Sequence, residues 1–114
     1  MKSNRNIKIS SEIQGLAAKF IQMEANTDPL ITVTNATIAP NMSRATIYFT
    51  TIPADREQDA LIFLKRSGKE MRTYIKKNLP IRTIPFLEFS VDYGERHRQH
   101  IDKLMLENSK KHEA

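Results

Sequence analysis

Between residues 60 and 79, the apolar side chains Ala60, Leu64, Met71, Ile75 and Leu79 fall on one side of a helix, provided the α-helical period carries through Ser67 and Gly68. A stripe of this length commits the chain to a long amphipathic helix with one side buried. At 114 residues there is enough chain for a single modest core and not for two. Pro80 ends the helix, since proline has no N–H to give it and clashes with the preceding turn. Glycine costs about 1 kcal/mol relative to alanine in a helix interior. Gly68, in the middle of the stripe, therefore implies a kink or a close backbone approach, and a single glycine leaves both open.

The other elements follow from periodicity. Ile9, Ile13, Leu16, Ala17, Phe20 and Ile21 repeat at helical spacing, with Ser11 and Gln14 placed as a capping box and Asn26 to Pro29 as terminators. Residues 31–39 are rich in β-branched side chains, and residues 44–51 alternate Ala45, Ile47 and Phe49 against Thr46, Tyr48 and Thr50. The four-residue link 40–43 makes these two strands a hairpin. Asp55 and Gln58 are spaced as a capping box for the long helix. Residues 85–93 form a third strand with Leu87, Phe89 and Val91 inward. His97, Ile101, Leu104 and Met105 mark a last helix that runs into a polar tail. The order α-β-β-α-(kink)-α-β-α predicts a two-layer α+β domain over residues 1–94, in which helix one and a kinked helix pair cover one face of a three-stranded sheet. Residues 95–114 form a C-terminal helical extension and tail.

Charge is concentrated on the long helix and just beyond it. Lys65, Arg66, Lys69, Arg72, Lys76, Lys77 and Arg82 stand against Glu70 alone, a local +6, while eleven cations and twelve carboxylates leave −1 for the rest of the chain. At about 100° per residue, Lys69, Arg72 and Lys76 lie within roughly 60° of one another, away from Met71 and Ile75. A solvated helix face usually mixes Glu with Lys at i,i+4. Like charges stacked without that relief resemble a footprint for a polyanion, and all seven cations are candidate phosphate contacts, with Tyr48 and Tyr74 as candidate stacking aromatics.

Other chemistry has little support. The three glycines are too scattered for a phosphate loop, and there is no cysteine for a disulfide or thiolate site. His97 and His100 at i,i+3 lack further ligands, and Glu88 with Asp92 reads as a charged strand face rather than an acid/base pair. No cofactor or metal is expected. The basic N-terminus lacks the apolar run of a signal peptide and no segment is long enough to span a membrane, so a soluble, cytoplasmic, monomeric protein is expected.

The order of elements, with "TDP" after helix one, "MSRATIYFTT" on strand two and "MRTYIKKNLPIRTIPFLEFSVD" at the end of the domain, resembles the ribosome-binding factor A family. The matching positions are Arg72, Arg82, Pro85, Phe89 and Asp92. The resemblance implies a type II KH-like fold of order αββααβ, in which a helix-kink-helix with an Ala-x-Gly signature replaces the GxxG loop. Counted back from Arg72, that signature falls on Ser67 and Lys69, with Gly68 between them, so the expected kink lies at Ser67-Gly68. It also implies a non-enzymatic assembly factor that binds the free small ribosomal subunit and its rRNA, assisting late maturation and 5′-end processing. Two alternatives are a phosphate-binding α+β plait enzyme of the acylphosphatase kind, tested at Arg72 and Arg44, and a basic protein-interaction module.

Overall fold

The computed structural model describes residues 4–25, 29–95 and 97–98. The chain runs through α1 (Asn4–Glu24), β1 (Leu30–Ile38), β2 (Arg44–Ile52), a 3-10 turn (Ala54–Arg56), α2 (Glu57–Asn78) and β3 (Phe86–Val91). Its sheet order is β1-β2-β3. β1 and β2 form the expected antiparallel hairpin, whereas β2 and β3 pair in parallel. A parallel pair needs a crossover, and the 3-10 turn with α2 supplies it.

Both helices bury their stripes on the same side of the sheet. Ile9, Ile13, Ala17, Phe20 and Ile21 from α1 join Ala60, Leu64, Met71 and Ile75 from α2 in one core with Ala45, Ile47 and Phe49 of the central strand. All of these are marked as inward by the periodicity, whereas Leu16 and Phe89, marked likewise, are half-buried against the core. Leu79 takes an extended conformation (φ −127°, ψ 114°) as the residue before Pro80, which stops the helix.

Three local expectations are corrected. First, α2 is a single α-helix from Glu57 to Asn78, so the division into two helices at Ser67-Gly68 is not formed and the order is αββαβ rather than αββααβ. The stripe Ala60, Leu64, Met71, Ile75 already has the spacing of one uninterrupted helix, and Gly68 does not take a positive φ. Gly68 lies inside this helix, where a Cβ would meet Phe89 Cε2 at an ordinary van der Waals distance of 3.7 Å. Second, α1 already includes Asn4, so Ser11 and Gln14 sit inside it instead of capping it; Gln14 Nε2 instead donates to the Thr34 carbonyl at 3.4 Å. Third, the N-cap position of α2 is Arg56 rather than Asp55, and its side chain makes no capping hydrogen bond. The tighter 3-10 turn takes that place, with the Arg56 N–H donating to the Pro53 carbonyl. Residues 93–95 and 97–98 are helical, while the expected Ile101, Leu104 and Met105 face and the polar tail lie outside the described residues.

A β-bulge between Val33 and Asn35 sets Thr34 out of the β1–β2 ladder. Its hydroxyl donates to Asp92 Oδ2, which ties β1 to the end of β3 past the intervening strand. Asp92 Oδ1 accepts the backbone N–H of Glu95 at 3.0 Å, the geometry of an N-cap for the helical residues that follow. The Thr34 hydroxyl and then the Glu95 N–H stabilise the carboxylate and hold its pKa below the ordinary value of 3.8 against a small desolvation effect.

Candidate nucleic-acid interface

With its inward side filled by Ala60, Leu64, Met71 and Ile75, α2 has to place its cations on the solvent side. Lys65, Arg66, Lys69, Arg72, Lys76 and Lys77 are all exposed, as is Arg82 in the loop before β3. Among the described residues none of the seven is ion-paired with a carboxylate. The one-sign face seen in the sequence is therefore present as a surface.

The structure divides that surface. Lys65, Gly68, Lys69 and Arg72 line one wall of a groove of about 640 Å³, and Phe86 to Phe89 of the edge strand line the other. Arg66 and Lys77 lie about 60–80° further round the helix from Lys69, outside this groove.

Arg72 has a second task. Its Nη2 donates to the Ile84 carbonyl at 2.7 Å, and its Nε lies 3.4 Å from the Pro85 carbonyl. Ile84 and Pro85 are themselves buried, so the guanidinium fastens the inner end of the loop to the middle of α2. Part of its five-donor fork is thereby used within the fold.

Two aromatic expectations change. Tyr74 is half-buried with its ring 5.9 Å from that of Phe20, and so covers the core. Tyr48 is half-buried opposite Ser90. The exposed aromatic at the groove is Phe86, at 64% exposure, which was not singled out in the sequence. The signal was available, because alternation with Leu87 inward turns Phe86 outward.

The carboxylates considered as an acid/base pair are engaged separately. Glu88 Oε1 meets Arg44 Nε at 3.2 Å, and Asp92 is held by Thr34 and Glu95. His97 is exposed and His100 lies outside the described residues; among the described residues no three potential metal ligands gather. Among the same residues no helix is long and apolar enough to cross a membrane.

Residues 5–105 match the ribosome-binding factor A family. Ribosome-binding factor A of Cupriavidus pinatubonensis is 34% identical over 108 residues, covering 92% of this chain and 87% of the relative. The crystal structure of ribosome-binding factor A from Thermus thermophilus has a TM-score of 0.69 at 21% identity, covering 75% of this chain and 94% of that one. A homology model of the Thermus thermophilus factor, fitted into the cryo-EM map of its 30S complex, gives 0.63 at 21% identity, with 71% and 88% covered. The structural likeness carries the fold and the sequence match carries the kinship: the chain belongs to the ribosome-binding factor A family.

Proposed function

We propose that this protein is a non-enzymatic assembly factor that binds the free small ribosomal subunit through its rRNA and assists late maturation, including processing of the rRNA 5′ end. Family membership and the 30S complex of the Thermus thermophilus factor support this reading. The observation that carries it in this chain is the one-sign face of α2, whose Lys65, Arg66, Lys69, Lys76 and Lys77 have no carboxylate partner among the described residues. Those five, with Arg82 and the donors Arg72 has left, contact phosphates, which position a protein on RNA without reading its sequence. Residues 1–94 act as the binding domain of a cytoplasmic monomer. The acylphosphatase-like alternative loses support, because its two arginines, Arg44 and Arg72, are held by Glu88 and by loop carbonyls.

Cosedimentation of the tagged protein with small subunits tests the reading. Changing Lys65, Lys69 and Lys76 to Glu removes binding while the melting temperature holds, because all three are exposed and distant from the core. Arg72 is left intact in this variant to keep its loop contacts. Retained cosedimentation of a folded triple variant would show that the subunit is bound by another surface.

A further inference from the structure

We infer that the outer edge of β1 is a docking site for an extended segment of a basic protein, which joins the sheet as a fourth strand beside Leu30 to Val33 and sets its apolar side chains against α1. This goes beyond the RNA-binding reading and uses a different face of the molecule. β1 is an edge strand, and among the described residues only β2 pairs with it. In an antiparallel pair every second residue turns its N–H and C=O away from the partner strand, so an edge presents a row of backbone groups that another chain can pair with. Edges are commonly guarded by charge or proline. The nine residues of β1, LITVTNATI, contain neither. The devices that do interrupt the edge all lie beyond Val33: the bulge at Thr34 breaks the ladder, Gln14 Nε2 donates to the Thr34 carbonyl at 3.4 Å, and the Ala36 N–H donates to Asn35 Oδ1 at 2.9 Å.

Leu30 to Val33 line a groove of about 300 Å³ together with Ala18, Ile21 and Ala25 of α1. Ile31 and Val33 pack against the core on the helix side. A strand laid beside them continues that layer, and the small side chains of Ala18 and Ala25 leave room for its alternate apolar residues. Backbone pairing then supplies affinity and the groove supplies selection. The charge of the partner follows from the same end of the fold. Between Phe20 and Ser43 the chain has no lysine or arginine, in a molecule of net charge +5. Glu24 closes α1, where the terminal carbonyls already carry partial negative charge, and no basic residue stands in the last turn. Asp55 is exposed just beyond Ile52, the register partner of Leu30. A lysine or arginine entering beside Leu30 meets this negative end, whereas a phosphate is repelled by it. The other edge strand, β3, repels a basic segment, because Lys65, Lys69 and Arg72 stand across the groove from it.

The probe is a short synthetic peptide of alternating valine and threonine with a lysine at each end, titrated into the full chain labelled with nitrogen-15. Saturable shift changes and new amide protection are expected at Leu30 to Val33. Ala18→Lys places a long cation in the groove from an exposed helix position; it should keep the parent's melting temperature and weaken the peptide by roughly tenfold or more. Gln22→Lys, also exposed and lining the groove, is the second variant and should do the same. The peptide ended by glutamates in place of lysines should bind the parent more weakly than the original. No saturable binding by the parent at millimolar peptide would overturn the proposal, as would undiminished binding by both folded variants or protection that falls on β3. Equal binding of the glutamate-ended peptide would overturn the basic partner. A parent that sediments as a dimer, with Leu30 to Val33 protected before any peptide is added, would make a second copy of this chain the occupant and overturn it too. Cosedimentation with small subunits reads the RNA-binding face separately, so either reading can fail without the other.

Discussion

Arg72 Nη2 and the Ile84 carbonyl oxygen are 2.7 Å apart, joining the middle of α2 to the last turn of chain before β3. A residue picked out in the sequence as a phosphate contact thus also holds together the two walls of the groove. Arg72→Ala is expected to cost about 1–2 kcal/mol, the scale of a charge-assisted hydrogen bond discounted for exposure, and to lower the melting temperature by several degrees. Arg72→Lys should not restore the loss, since an ammonium cannot reproduce the planar fork. Lys69→Ala is the comparison and should stay within about 0.5 kcal/mol of the parent. Urea denaturation checks all three; an unchanged midpoint for Arg72→Ala would remove the clamp.

Asp92 predicts a pH dependence of known sign. Its folded pKa is depressed, so the stability it contributes is present above the unfolded value near 3.8 and is lost as pH falls through the lower folded value. Asp92→Ala should cost about 1–2 kcal/mol at pH 7, through the lost hydrogen bond from Thr34 and the lost cap to Glu95. The gap from the parent should narrow below about pH 4 as the parent's carboxylate protonates. Melting curves from pH 7 to pH 2 measure this, and a gap constant with pH would mean that the charge plays no part.

Gly68→Ala should stabilise the protein by about 0.5–1 kcal/mol, because alanine is the better helix former and the added Cβ meets Phe89 at an ordinary contact distance of 3.7 Å. A loss of stability in thermal melts would mean that the glycine is required by the backbone.

RNA affinity should fall steeply with salt, with roughly −0.7 in log-log slope for each phosphate neutralised on a single strand. Lys65→Ala and Lys69→Ala should each flatten the slope by about one such step. Fluorescence anisotropy across a salt series decides; slopes identical to the parent's would place both lysines outside the contact.

The burial pattern was legible because it is periodic. Ile9 to Ile21 in α1, Ala60 to Ile75 in α2 and Ala45 to Phe49 in β2 each repeat at the period of their element, and the marked residues are buried except Leu16, which is half-buried. Gly68 was half legible: its cost in a helix pointed to a special place, but its neighbour there, the Phe89 ring edge, comes from twenty-one residues on and leaves no mark in the local sequence. The bulge at Thr34 left no mark, since threonine is at home in any strand and its reason is a carboxylate 58 residues away. Of the family landmarks, Arg72 fastens α2 to the Ile84 and Pro85 carbonyls before β3, and Asp92 ties the end of β3 to Thr34 of β1; both roles lie in contacts between distant segments.

The parallel ladder joins Arg44 to Phe86 and Phe49 to Val91, forty-two positions apart each time, while the hairpin starts from Ile38 and Ala45, seven apart. Closing the longer loop costs more chain entropy, and the cost is recovered only once α2 is in place. The expected assembly sequence is therefore hairpin first and β3 last, so that native-state hydrogen exchange should find the amides of Phe86 to Val91 opening at lower free energy than those of β2. The groove, having β3 as one wall, exists only in the fully assembled molecule. A ligand bound there would hold the last strand shut, and its occupancy would become a term in the folding equilibrium itself.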